Sequence, residues 1–233
     1  MDPRHLFMDE RLIGMCVYCG AQPDTRDHVP SKVLLDEPFP PQLPVVDACA
    51  SCNAGFSLDE QYLSCFLECV ICGTADPSGL QRPNVMRSLN ENPALKARIA
   101  ASRRRNEAGN LVWQSETDRV REVVTKLARG HVAYEMYPKM EEPDEVAFAP
   151  LQVMSGHERA AFEDVTSGTL AGWPEIGSRA FLRASGKNPD PFEQIGDWIV
   201  VQPGRYRYSV VEAGGVLVQM VLSEYLACAV SWE

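Results

Sequence analysis

The residues best equipped for chemistry lie in one short region. "CVYC" at Cys16–Cys19 and "CASC" at Cys49–Cys52 are two Cys-x-x-Cys pairs, and seven of the eight cysteines fall between Cys16 and Cys72. Each pair on a tight knuckle turns two sulfurs toward one ion, and two pairs supply the four thiolates of a tetrahedral structural zinc. Clustering of this kind, in a reducing compartment, points to metal rather than disulfides. The gap from Cys19 to Cys49 holds 29 residues, more than the ~15–20 of the common four-cysteine spacing. The excess houses "RDHVPSK", with His28 one of only four histidines. Either the knuckle is purely structural and encloses a histidine by accident, or the zinc holds that histidine for chemistry.

The full pattern is a knuckle pair, then Asp-His with a nearby Pro, then a second pair followed at once by Asn: Cys16, Cys19, Asp27, His28, Pro30, Cys49, Cys52 and Asn53. It resembles the HNH (ββα-metal) endonucleases of the four-cysteine type, over roughly residues 12–72. The resemblance implies a structural zinc on the four cysteines. It also implies a catalytic divalent ion, Mg2+ or Mn2+, held by Asp27 and Asn53, and His28 as the general base that activates water. The residue types suit those roles. A carboxylate and an amide oxygen suit a hard cation, which can stabilise a leaving oxygen as a Lewis acid. An imidazole with a pKa of about 6.5 is the natural base at neutral pH. On an extended segment, adjacent Asp27 and His28 face opposite ways, one toward metal and the other toward water and phosphorus. The chain departs from the family at Pro44 and Val45, where the middle motif usually has Asn-Leu, and at Phe56, where Lys is common. That Asn ordinarily braces the loop and the base.

Three zones must position these residues: 1–75, cysteine-rich and carrying the HNH-like zinc module; 76–140, mainly helical and basic; and 141–233, an α+β region. "SLDEQYLSCFLECVICG" predicts a helix with a Ser57/Glu60 capping box and Gly73 as C-cap. "NPALKARIAASRRRN" predicts a helix with Asn92 as N-cap and Pro93 in its first position. "SETDRVREVVTKLARGHVAYEMY" predicts another, beginning at Ser115 or Thr117, with Val120, Val123, Val124, Leu127 and Val132 on one face. "EVAFAPL", "DWIVVQP", "RYRYSVVE" and "VLVQMVLS" predict strands, with "EAGG" as the hairpin turn between the last two. "EYLACAVSWE" suits a strand or a short helix, and "GWPEIGSRAFLRA" contains a helix after Gly177. The expected class is α+β: an N-terminal zinc-stapled ββα module, a helical middle and a C-terminal, mostly antiparallel sheet.

Composition is that of an ordinary globular chain, 45% hydrophobic and 23% charged, which excludes wholesale disorder. The net charge of −10 argues against coating nucleic acid with the whole surface. Residues 82–132, however, carry 11 Lys and Arg against 5 Asp and Glu, so a local phosphate-binding face is expected there. Arg26 and Lys32 beside the Asp-His pair, with Arg103, Arg104 and Arg105, are the candidate nucleic-acid contacts, and DNA is the expected substrate. "RYRY" at Arg205–Tyr208 fits a strand with one wet face better than a stacking platform. Cys65, Cys69 and Cys72 share one helix face and suit buried thiols. Asp59 and Glu60 suit first-turn acids, and His131 suits a packed or surface ring. His5 and His157 have no informative context. The N-terminal "MDPRHLFMDERLIG" is no signal peptide, and no apolar run approaches the ~20 residues of a membrane helix. A cytoplasmic protein with no membrane partner is expected. A zinc-binding adaptor without catalysis, binding nucleic acid or a protein, stays open beside the endonuclease. Specificity, oligomeric state and any protein partner are not legible in the sequence.

Overall fold

The computed structural model describes residues 14–107, 109–164, 178–187, 191–212 and 214–233. The N-terminal stretch with His5, the "GWPEIG" segment and Ala213 of the "EAGG" turn lie outside the described residues. The chain divides into two compact units, one of Met1–Gly55 with Val124–Glu233, the other Phe56–Val123.

The first unit opens with a ββα arrangement. Strand β1 (Thr25–His28) pairs antiparallel with β2 (Val45–Ala48), and helix α1 (Ala50–Gly55) follows at once. The link from β1 to β2 is tied down at Asp36. Its N–H donates to Gln202 Oε1 (2.8 Å), its carbonyl accepts from Gln202 Nε2 (2.9 Å), and its carboxylate pairs with Arg205.

The second unit is mainly helical: α2 (Ser57–Cys72), α3 (Pro83–Glu91) and α4 (Pro93–Ala101), then a hairpin of β3 (Arg103–Arg105) and β4 (Leu111–Trp113), and the start of α5 (Thr117–Glu135). Gly73 ends α2 in the left-handed region at φ 69°, its N–H bonding Cys69 and Val70 carbonyls. Ser57 is the first residue of α2 rather than its cap: the cap position falls on Phe56, in a helical conformation and with no side-chain cap bond, and Glu60 is buried. Asn92 caps α4 as expected, accepting the Leu95 N–H at 3.0 Å.

The "RRR" run, read as the end of that helix, is a strand instead. The Ser102 hydroxyl bonds the Ile99 carbonyl (2.7 Å), and "NEAGN" then turns the chain, with Gly109 at φ 77° and Asn106 Oδ1 accepting the Asn110 N–H. A strong hairpin turn outweighs the helix propensity of arginine. Cys65 and Cys69 are buried, and burial pushes both thiols up to about 12, the behaviour of inert apolar side chains. Arg82 is buried as well, donating to Ser64 Oγ (2.8 Å), so it does not belong to an exposed basic face.

The chain returns to the first unit at Val124, within α5. There follow β5 (Glu145–Pro150), α6 (Gly156–Glu163), α7 (Arg179–Ala184), β6 (Glu193–Ile195), β7 (Trp198–Gln202), β8 (Tyr206–Glu212), β9 (Val216–Leu222) and β10 (Leu226–Trp232). Six of these strands form one antiparallel sheet in the order β5-β10-β9-β8-β7-β6. "EYLACAVSWE" is thus a strand, reached through a tight turn in which Ser223 and Glu224 both take positive φ, 55° and 46°. The alternation within "RYRY" is that of a strand buried on one face. Tyr206 and Tyr208 are buried, while Arg205 pairs with Asp36 and Arg207 with Glu163 and Glu224.

The two sheet faces are covered differently. His131 of α5 stacks on Tyr208 with ring centroids 3.7 Å apart and meets Tyr206 Oη at 2.8 Å. On the other side Trp198, Val221, Ala227 and Leu151 form a cluster against which Phe162 of α6 and Met154 pack. No described helix is long and apolar enough to cross a membrane.

Candidate functional site

The two knuckles are built differently and converge. In the first, the Cys16 N–H bonds the Ala21 carbonyl (2.7 Å) and the Gly20 N–H bonds the Cys16 carbonyl (2.8 Å). Gly20 takes φ 74°, the left-handed turn that brings Cys19 back beside Cys16. The Val17 N–H bonds Asp47 O on β2, which docks this knuckle on the hairpin. The second pair is the first turn of α1, with Cys49 just before it and Cys52 inside it. Asp24 Oδ1 accepts the Ala50 N–H at 2.6 Å, and Cys49 Sγ accepts the Cys52 N–H at 3.4 Å. That backbone bond, with the Cys52 thiol next, draws the Cys49 thiol down to about 7.

The four Sγ atoms of Cys16, Cys19, Cys49 and Cys52 lie within 4.8 Å of one another. The Cys19–Cys49 separation is 3.8 Å. A disulfide needs about 2.05 Å, whereas the edge of a tetrahedron with Zn–S bonds of about 2.3 Å is about 3.8 Å. The four thiols can therefore hold a structural zinc. They are the one converging group of three or more His, Cys, Asp or Glu ligand atoms among the described residues.

Beside this cluster, β1 carries Asp27 and His28 with the alternation expected of a strand. Arg26 is exposed, Asp27 buried and His28 half-buried. His28 stands opposite Val45, and the Val29 N–H bonds the Pro44 carbonyl (2.9 Å). Burial first, then the positive charge of Lys32, lower the His28 pKa below its ordinary 6.5; Asp27 opposes this and Lys126 adds to it. The ring is then a neutral base at pH 7. Asn53 comes to the same strand from α1. Its Nδ2 reaches the Arg26 carbonyl at 3.3 Å and Thr25 Oγ1 at 3.4 Å, and its Oδ1 takes no hydrogen bond from the described residues. The thiol cluster lies at the start of α1, and this contact sets Asn53 against the strand that bears Asp27 and His28.

Asp27 is more heavily engaged than its sequence context indicates. Its Oδ2 accepts from Tyr18 Oη (2.8 Å) and lies 2.6 Å from Lys126 Nζ, which also donates to Ser31 Oγ (2.8 Å). The Lys126 side chain is 1% exposed and that of Asp27 10%. Both carboxylate contacts fall on Oδ2, leaving Oδ1 without a hydrogen bond among the described residues. Asp27 Oδ1 and Asn53 Oδ1 thus take no hydrogen bond among the described residues, and each is of the oxygen type that hard divalent cations prefer.

Tyr18, Ser31 and Lys126 are the members of this site that motif spacing does not reveal. One signal for Lys126 is in the sequence: it interrupts the apolar stripe of α5, with Gly130 one turn on. A Cβ at Gly130 would meet Val29 Cγ2 at 2.6 Å, so a glycine is what lets α5 approach the strand end beyond His28.

Among the expected nucleic-acid contacts, Arg26 and Lys32 are exposed beside the site, Lys32 with its Nζ 5.5 Å from the Phe39 ring centre. Arg103, Arg104 and Arg105 are exposed on the β3–β4 hairpin of the other unit, and Arg103 lies over Trp113. No protein-family model, curated protein or solved structure matches the chain.

Proposed function

We propose that the protein is a metal-dependent endonuclease of the HNH type, hydrolysing phosphodiester bonds of nucleic acid, with DNA as the first substrate to test. The observation that carries this reading is the docking of Asn53 on β1 through its Nδ2, which brings this side chain to the strand bearing Asp27 and His28. Asp27 and Asn53 would hold Mg2+ or Mn2+. The ion, when bound, supplies Lewis-acid stabilisation of the phosphate and of the leaving oxygen. His28 takes a proton from the attacking water at an imidazole nitrogen, and the lowered pKa keeps that nitrogen free at neutral pH. The four-cysteine zinc sets the distance between β1 and α1. Exposed Arg26 and Lys32 flank the site and would hold the backbone phosphates. Pro44 supplies a carbonyl to Val29 where the family has a bracing Asn side chain, so the strand after His28 is braced through its backbone.

The test is cleavage of single- and double-stranded DNA and RNA with Mg2+ or Mn2+, wild type against His28→Ala. The variant should keep its zinc content and circular dichroism and lose about 10²–10⁴-fold in rate, the usual worth of a general base. Unchanged cleavage by the variant would sink the mechanism.

One observation favours a second reading. Asp27 is already paired with a buried ammonium, as would be so in a non-catalytic zinc module that binds nucleic acid or a protein. Binding without cleavage across both metals and all substrates would favour that adaptor.

A further inference from the structure

Within the second unit, the β3–β4 hairpin is set apart by what it exposes. All three residues of β3 are exposed; on β4, Leu111 is 42% and Val112 39% exposed, and Trp113 is half-buried. The register sets Arg103 opposite Trp113, Arg104 opposite Val112 and Arg105 opposite Leu111. Cross-strand partners share a face, and neighbours along a strand alternate between faces. One face therefore carries Arg103, Arg105, Leu111 and Trp113, and the other Arg104 and Val112. Each face thus presents an exposed guanidinium beside an exposed apolar side chain. From Arg103 to Gln114 the chain holds three arginines against one acid, Glu107, in a protein of net charge −10. The guanidinium groups are steadied from within the ribbon. Arg104 Nε donates to Gln114 Oε1 (3.2 Å), Arg105 Nη1 donates to the Gly109 carbonyl (2.7 Å), and Arg103 lies 5.7 Å from the Trp113 ring centre. None of the three meets a carboxylate among the described residues.

A surface of this kind suits a polyanion that reaches both faces at once. A flat acidic surface or an anionic membrane would meet only one face and leave the arginine of the other in water. The major groove of B-DNA, about 12 Å wide, admits a two-stranded ribbon and is walled by phosphates on both sides. The major groove of an RNA duplex is too narrow for side chains to read. A single strand needs open aromatic platforms for its bases, whereas Trp113 is half-buried beneath the Arg103 guanidinium. We propose that the β3–β4 hairpin is a DNA-binding ribbon that enters the major groove of a duplex, its arginines reaching phosphates and base edges from both faces. The inference concerns the second unit alone and requires no catalysis, so it holds or fails apart from the endonuclease reading.

The experiment is a fluorescence-anisotropy titration of the zinc-loaded full chain at several salt concentrations, without added Mg2+ or Mn2+. The probes are a labelled DNA duplex, its single strand, the RNA duplex of the same sequence, and vesicles of phosphatidylserine with phosphatidylcholine. The wild type should favour the DNA duplex by about tenfold or more over every other probe. A triple variant, Arg103→Gln with Arg104→Gln and Arg105→Gln, should keep its circular dichroism because all three side chains are exposed. Its plot of log affinity against log salt should be shallower by about 2–3, at about 0.9 per phosphate contact. Gly109→Pro keeps every arginine but cannot hold the φ of 77° at this turn, so it should lose the preference for the duplex. Equal binding by the wild type and the triple variant would overturn the proposal. So would an unchanged duplex preference in Gly109→Pro, equal affinity for the DNA and RNA duplexes, or binding to vesicles alone. DNA cleavage by the wild type together with undiminished duplex binding by the triple variant would leave the endonuclease reading standing and this one fallen.

Discussion

At Asp27 and Asn53, the proposed function turns on which oxygens take no hydrogen bond among the described residues. The carboxylate has one oxygen held by Tyr18 and Lys126, and Asn53 has its amide nitrogen turned to β1. What takes no hydrogen bond among the described residues is one oxygen from each, the hard donor type that the proposed cation would use. The glycine at 130 belongs to this scale too. In a helix interior glycine costs about 1 kcal/mol relative to alanine, yet here an added Cβ would sit 2.6 Å from Val29 Cγ2 and 3.0 Å from Cγ1. Val29 follows His28 directly and is fully buried, so it has little room to move. Gly130→Ala should therefore destabilise by about 1–3 kcal/mol, the usual cost of overpacking, despite its better helix propensity. Urea denaturation measures this, and a stabilised variant would show that the strand end yields freely.

At the scale of elements, the ββα arrangement is small. β1 and β2 have four residues each and α1 has six. Three elements of this length cannot bury a core of their own. The thiol tetrad joins the first knuckle, docked on β2, to the start of α1, which is the staple such a module needs. The protein should carry one tightly bound zinc per chain by elemental analysis. Its removal with a strong chelator should lower the melting temperature by about 20 °C or more, taking about 10–16 kcal/mol for a structural zinc and about 2–4 °C per kcal/mol at this size. A chain that purifies without zinc, or that melts identically after chelation, would contradict the assignment. The Arg103–Arg105 run shows the reverse case, where a local turn decides the element. Read as a helix end, it is a strand because "NEAGN" closes a hairpin, and the three guanidinium groups then alternate between the two faces of a ribbon.

Across the whole molecule, the sheet and α5 bury an unusual polar group. His131 is 0% exposed, its Nδ1 has no hydrogen-bond partner among the described residues, and Tyr206 and Tyr208 pack against the ring. Tyr208 Oη in turn donates to Glu135 (2.6 Å), which pairs with Arg183 (2.9 Å). Burial, then Lys126, lower the His131 pKa well below 6.5. The folded ring stays neutral while the unfolded chain takes up a proton below about pH 6.5. The contribution to stability is thus full above that pH and is lost as the pH falls below it, at about 1.4 kcal/mol per unit. Unfolding free energies measured between pH 7.5 and 5.5 should show this slope, and His131→Phe should reduce it by close to one proton. Equal slopes in the two proteins would refute the assignment.

The sequence by itself determined what depends on near neighbours. Knuckle spacing announced the thiol tetrad, Asn92-Pro93 and Gly73 marked helix ends, and apolar alternation marked the strands of the C-terminal sheet. These signals are local because caps, turns and strand faces are set by residues a few positions apart. Tertiary structure alone decided which groups surround Asp27. Lys126 lies 95 residues from the Ser31 it also contacts, and no periodicity encodes which buried carboxylate a lysine on an apolar stripe will meet. It likewise paired both arginines of "RYRY", Arg205 with Asp36 and Arg207 with Glu163. Partners of buried charges follow from how distant elements pack, and the cost of leaving such a charge unpaired then fixes the pairing.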